Sequence, residues 1–180
     1  MASDELERLL EPDYLGDLQS RSIEEIRAMR GECQRAEDGL SFVRRHAQGR
    51  LDIVTAELSR RKEGKGPSDA ADIVDMLPKI LGEHVSAGGR LVEVRATSLE
   101  PPSDPRALMV ELEGILHESS ITGLGQITDD ELRQLVDRLT EYERLVSERR
   151  RSLHDRLDAL RDEIVRRYKS GEVSVESLLK

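Results

Sequence analysis

Residues 22–63 read SIEEIRAMRGECQRAEDGLSFVRRHAQGRLDIVTAELSRRKE, and residues 128–170 read TDDELRQLVDRLTEYERLVSERRRSLHDRLDALRDEIVRRYKS. Each opens with a capping box, Ser22 with Glu25 and Thr128 with Glu131, in which side chains satisfy backbone groups that a helix start leaves unpaired. Neither contains a proline, and the first stops at Gly64 and Gly66-Pro67, the second at Ser170-Gly171. Apolar residues step by threes and fours through Ile26, Met29, Cys33, Ala36, Leu40, Val43, Ala47, Leu51, Val54 and Leu58. They do so again through Leu132, Leu135, Leu139, Tyr142, Val146, Leu153, Leu157, Leu160 and Ile164. Arg149 interrupts the second row, and the consecutive steps of four at Val43, Ala47 and Leu51 resemble a stutter that locally unwinds a supercoil. Helices of this length would extend roughly 60 Å. The spacing predicts an all-α protein built on a long antiparallel two-helix coiled coil.

The rest of the chain is arranged around these segments. Residues 1–21 read as a short N-terminal arm, with Leu6, Leu9 and Leu10 forming one helical turn before Pro12. Residues 64–127 form a linker far longer than the ~2–8 residues a helical hairpin needs. Within it, 68–85 has a partly helical apolar face, 91–97 alternates weakly like a strand, Pro101, Pro102 and Pro105 mark a loop, and 106–117 suits another short helix. Residues 171–180 are a C-terminal tail.

Composition narrows the function. Charged residues make up 36% of the 180-residue chain and aromatics 2%, which suits a narrow apolar seam and argues against a compact α/β enzyme. A net charge of −9 disfavours direct DNA binding, which requires a basic excess, but suits a basic protein partner. Cys33, the single cysteine, falls on the seam and reads as core packing. The four histidines have no metal-ligand spacing, and there is no phosphate-binding glycine loop or nucleophile motif, so neither a metal site nor catalysis is expected. No stretch reaches the ~18 apolar residues of a membrane span and the N-terminus lacks a signal-peptide pattern, so the expected compartment is the cytoplasm.

The two long segments are also copies of one another. With a shift of 106 positions and no gap, 12 of 40 residues are identical. Four of them belong to a row of five: Glu37, Ser41, Arg44, Gln48 and Asp52 in the first copy, Glu143, Ser147, Arg150, His154 and Asp158 in the second. Steps of 4, 3, 4 and 4 put each row on one helix face, one position beyond the seam. Flanks of coiled coils ordinarily carry weakly paired Glu, Lys and Arg. A short Ser beside Gln or His is unusual there, and recurrence of the whole row in register is expected by composition only on the order of once in 10⁴ alignments. Arg bonds the guanine O6/N7 edge bidentately, stacks on bases and pairs with phosphate, while a carboxylate accepts from guanine N1 and N2. A two-fold symmetric ligand with two guanines and two phosphates, such as cyclic di-GMP, would meet both rows equivalently. Arg45 and Arg151, about 100° round the helix, lie off the row.

The duplicated E-x3-S-x2-R-x3-Q/H-x3-D row, with the surrounding Glu32-Cys33-Gln34, Gly39-Leu40-Ser41 and Gly49 through Val54, resembles the RsiG family of actinobacterial anti-sigma factors. The resemblance covers both helices. It implies an antiparallel coiled coil that binds cyclic di-GMP, two molecules of it, through the two motifs. The loaded protein sequesters the sporulation sigma factor WhiG from RNA polymerase core. By resemblance, Glu37, Ser41, Arg44, Gln48 and Asp52 form the first half-site and Glu143, Ser147, Arg150 and Asp158 the second, with His154 standing where the family has Gln. Two other readings stay open: a coiled-coil adaptor whose polar row grips protein without a ligand and, more weakly, an enzyme.

Overall fold

The computed structural model describes residues 2–68, 71–75, 77–78, 105–116 and 121–172, and no strand occurs among them. Helix α1 spans Ala2–Leu10, α2 Ile23–Lys62, α3 Arg106–Leu116 and α4 Asp129–Ser170. Short 3₁₀ turns at Leu18–Ser20 and Ile121–Gln126 lead into the two long helices. The 68–85 face lies largely outside the described residues; within them Ile73 is buried and Val74 exposed. The 91–97 alternation and the proline loop at 101–105 lie outside them except for Pro105.

The long helices begin where their caps dictate. Ser22 Oγ accepts the Glu25 N–H at 3.2 Å while the Ser22 N–H donates back to Glu25 at 2.6 Å; Thr128 and Glu131 repeat the exchange at 3.3 and 2.7 Å. Gly171, with φ of 77°, closes α4 in the left-handed conformation that glycine adopts at no steric cost. α2 and α4 pack antiparallel along the seam, burying Ile26, Cys33, Leu40, Val43, Ala47 and Val54 against Leu132, Leu139, Val146, Leu153 and Leu160. Arg149, the counterpart of Val43 in the second copy, is half-buried. Near one end of the hairpin, Arg27 donates to the Tyr168 hydroxyl. Nitroxide labels at the exposed positions Glu24 and Val165 are therefore expected within about 20 Å of each other. Double electron resonance giving a separation near the ~60 Å helix length would exclude the hairpin.

The N-terminal arm packs against the rest of the chain. α1 lies on the hairpin, with Leu9 1% exposed and Leu6 buried beside it. Arg8 pairs with Glu32 at 2.9 Å, and Arg156 Nη2 donates to the α1 carbonyls of Leu10 and Glu11 at 2.6 and 3.0 Å. The physical reason is that a two-helix seam leaves apolar flank exposed, and a short helix with leucines on one face covers it. α3 does the same with Leu112, and the Tyr142 hydroxyl donates to its Leu108 carbonyl at 2.6 Å. The structural repeat is thus a whole unit of short helix, 3₁₀ turn and long helix. The 106-residue shift already marks it: Glu5-Leu6-Glu7, Leu10 and Leu18 match Glu111-Leu112-Glu113, Leu116 and Leu124.

Two symmetric clamps close the ends. Arg61 Nη1 and Nη2 donate to the carbonyls of Ile127 and Leu124, both at 2.7 Å, while its Nε donates to Glu57 at 2.7 Å. Arg167 does the same, 106 positions on, to Arg21 and Leu18 at 2.6 Å and to Glu163 at 2.8 Å. Each clamp ties the C-terminal end of one long helix to the lead-in of the other. At Glu57 the chain folds back so that the Ser68 N–H and hydroxyl both donate to the carboxylate, and a Cβ at Gly125 would run into the Ser68 carbonyl. Beside Glu163, among the described residues, Leu15, Leu18 and Ala159 line a groove, and Gln19 stands where the other clamp has Gly125.

Candidate functional site

The ten row residues lie on α2 and α4 away from the short helices. Glu32, which α1 grips, and Glu37 point about 140° apart on α2. Because the helices run antiparallel and are related by a pseudo-two-fold axis normal to their common plane, both rows emerge on the same open face.

The rows do not act as two separate helix-borne sets. Arg44 Nε donates across the seam to Glu143 and Ser147, both at 2.9 Å, and Gln48 adds a bond to Glu143 at 3.1 Å. Arg150 Nε donates to Glu37 at 2.7 Å and Ser41 at 2.8 Å, and His154 Nε2 lies 3.3 Å from Glu37. Within each helix Ser41 donates to Glu37 at 2.7 Å and Ser147 to Glu143 at 3.0 Å. Each cluster therefore joins the Glu and Ser of one copy to the Arg and Gln or His of the other. Antiparallel packing slides the N-terminal part of one row beside the C-terminal part of its twin, so the groups that meet across the seam come from opposite copies. Asp52 is half-buried, and Asp158 pairs with Arg161 at 3.2 Å.

Electrostatics differ between the composites. Burial alone would raise the Glu37 carboxyl, but the Ser41 hydroxyl and the Arg150 guanidinium outweigh it and hold Glu37 below the usual carboxylate range. Its side chain is 9% exposed against 22% for Glu143. Among the described residues both arginines are bonded through Nε alone, so each guanidinium is oriented by a carboxylate, and both side chains line one groove with Ser147 and His154. Arg151 lines the same groove, so it is not off the site as its helical angle suggests; Arg45 is exposed and is not among the lining residues.

Other candidates resolve simply. Cys33 is buried in the seam. His46 stacks on Phe42 with ring centroids 4.4 Å apart; His84 and His117 lie outside the described residues. Among the described residues no group of His, Cys, Asp and Glu is placed to hold a metal, and no helix is long and apolar enough to cross a membrane. The residues that sequence reasoning passed over are Glu57, Arg60 and Arg61 with Glu163, Arg166 and Arg167. They are identical pairs of the repeat, so the signal was present, but their role depends on backbone carbonyls that no sequence motif marks.

Among the described residues the fold is all-helical: a duplicated hairpin that presents a pseudo-symmetric face of arginines, carboxylates and hydroxyls. The chain belongs to the RsiG-like family, whose model matches residues 12–81 and 118–180, roughly three quarters of its length. Membership points to an anti-sigma-factor role and so to a sigma factor as partner; it is not a known enzyme family. No curated protein matches the chain.

Proposed function

We propose that this chain is an anti-sigma factor gated by cyclic di-GMP, which binds two nucleotides on its open face and in that state sequesters a WhiG-type sporulation sigma factor from RNA polymerase in the cytoplasm. The observation that carries this reading is the pair of composite Glu–Ser–Arg clusters related by the pseudo-two-fold. Arg44 and Arg150 are held by Nε and line one groove, and the terminal nitrogens of a guanidinium are the edge that meets guanine O6/N7 or a phosphodiester. Asp52 and Asp158, the last members of the rows, are suited to accept from guanine N1 and N2. If ligand and sigma factor stabilise one assembled surface, each must raise the other's affinity. The acidic balance of the chain suits a basic sigma surface that otherwise contacts polymerase or promoter DNA.

The adaptor reading is favoured by one observation. In the free chain the row residues already satisfy one another across the seam, as ordinary flanking ion pairs do. Equilibrium titration with cyclic di-GMP separates the two. Saturable binding at two nucleotides per chain, with more sigma factor co-purifying when the nucleotide is present, is expected. Absence of binding with or without sigma factor leaves the adaptor, and nucleotide binding that leaves sigma capture unchanged removes the gating.

A further inference from the structure

The two composite half-sites are near-copies, and the exchanges around them almost cancel in charge. Arg144 of the groove stands where the first copy has Asp38, but Glu148 and Asp155 stand where it has Phe42 and Gly49. The remaining exchange inside the row is His154 for Gln48. Gln48 donates its amide to Glu143 at 3.1 Å at any pH, whereas His154 sits 3.3 Å from Glu37 with a side chain 46% exposed to the groove. Imidazole is the side chain whose charge ordinarily changes between about pH 5 and 8. The charged groups around it are Glu37 and Arg44 on α2 and Arg150, Arg151, Asp155 and Asp158 on α4. Glu37 is held below the ordinary carboxylate range and stays ionised through that interval.

We propose that His154 is a specificity-determining residue that couples proton uptake to nucleotide binding at the Glu37–Ser41–Arg150 half-site, so that the two half-sites fill with different pH dependences. This rests on the nucleotide reading above. A protonated His154 keeps its contact to Glu37, gains a second N–H donor, and places a full positive charge in the groove that a phosphodiester dianion enters beside Arg150. Linkage then requires that the bound anion favour the protonated form and that falling pH favour the bound anion. The Gln48 half-site has no imidazole of its own in the row and meets His154 only across the shared groove.

The test is calorimetric titration of the full chain with cyclic di-GMP between pH 6 and 8, in buffers of different ionisation enthalpy, for the wild type, His154→Gln and His46→Gln. One of the two binding steps should strengthen about fivefold from pH 8 to pH 6 with fractional proton uptake, the size expected of one added charge near a partly exposed anion. His154→Gln should remove both the uptake and the slope, and His46→Gln, on the stacked pair away from the groove, should retain them. Binding without proton uptake, or with equal uptake in His154→Gln, overturns the role of His154 and leaves the nucleotide site standing. No binding at any pH overturns the nucleotide reading and this inference with it.

Discussion

Replacing Arg44 or Arg150 by Ala should weaken cyclic di-GMP binding by on the order of 1–3 kcal/mol, roughly five- to 150-fold, while helix content by circular dichroism scarcely changes. The loss combines a missing bidentate contact with a carboxylate left unpaired, since Glu143 and Glu37 each lose the guanidinium that now orients on them. Lys restores the charge but not the planar fork, so Arg44→Lys should recover little. Arg45→Ala is the control, and a loss there equal to that of Arg44→Ala would indicate diffuse attraction rather than a site. The composite arrangement has its own signature in double-mutant cycles. Arg44 should couple to Glu143 by about 0.5–3 kcal/mol in ligand affinity and not to Glu37 of its own copy. Coupling of Arg44 to Glu37 instead would mean that each row acts as a helix-borne unit.

The largest stability effect is expected at the clamps. Glu57 is 1% exposed and accepts from Ser68, Arg60 and Arg61. Glu57→Gln leaves these cations and donors around a neutral amide and should cost about 3 kcal/mol in urea unfolding, the scale of breaking a buried ion pair from one side. Glu163→Gln should cost less, because the Glu163 side chain is 10% exposed against 1% for Glu57. The same groups set an acid limit. Burial would raise the Glu57 carboxyl, but hydrogen bonds from Ser68 and Arg61 prevail and hold it at about 2; Arg166 and Arg167 hold Glu163 at about 2. A carboxyl that ionises more readily in the folded than in the unfolded chain makes the unfolded state the larger proton binder between the two values. The stabilisation is therefore complete above about pH 4.5 and lost as pH falls toward 2. Urea midpoints should climb over that interval, less steeply in Glu57→Gln. A variant with the wild-type midpoint at neutral pH would show that the clamp contributes nothing.

Much of the scaffold was legible because it is encoded locally. The capping boxes start the long helices at Ile23 and Asp129, and the three-four spacing selects the residues that are buried between them. The row of Glu, Ser, Arg, Gln or His, and Asp was legible as well, since a gapless 106-residue repeat brings each member into register with its twin. The packing of α1 and α3 was half-legible: their leucines announced helices, and the extension of the repeat through Leu6, Leu10 and Leu18 marked a larger unit than the two long helices alone. The clamps were present as identities without a visible purpose.

The sequence by itself determined the helices, their polarity of start and stop, the buried stripe and the duplicated polar row, because capping, periodicity and repetition are properties of neighbours along one chain. Tertiary structure alone decided that Arg44 answers Glu143 and Arg150 answers Glu37, that Arg61 and Arg167 grip carbonyls of the opposite half, and that Ser68 reaches Glu57. Those choices depend on how far one helix slides against the other. A heptad-like seam changes little in apolar burial when it slips by one repeat, so its pattern does not fix the axial offset. That offset follows from contacts between residues far apart in the chain: the clamps and the short helices seated across both long ones.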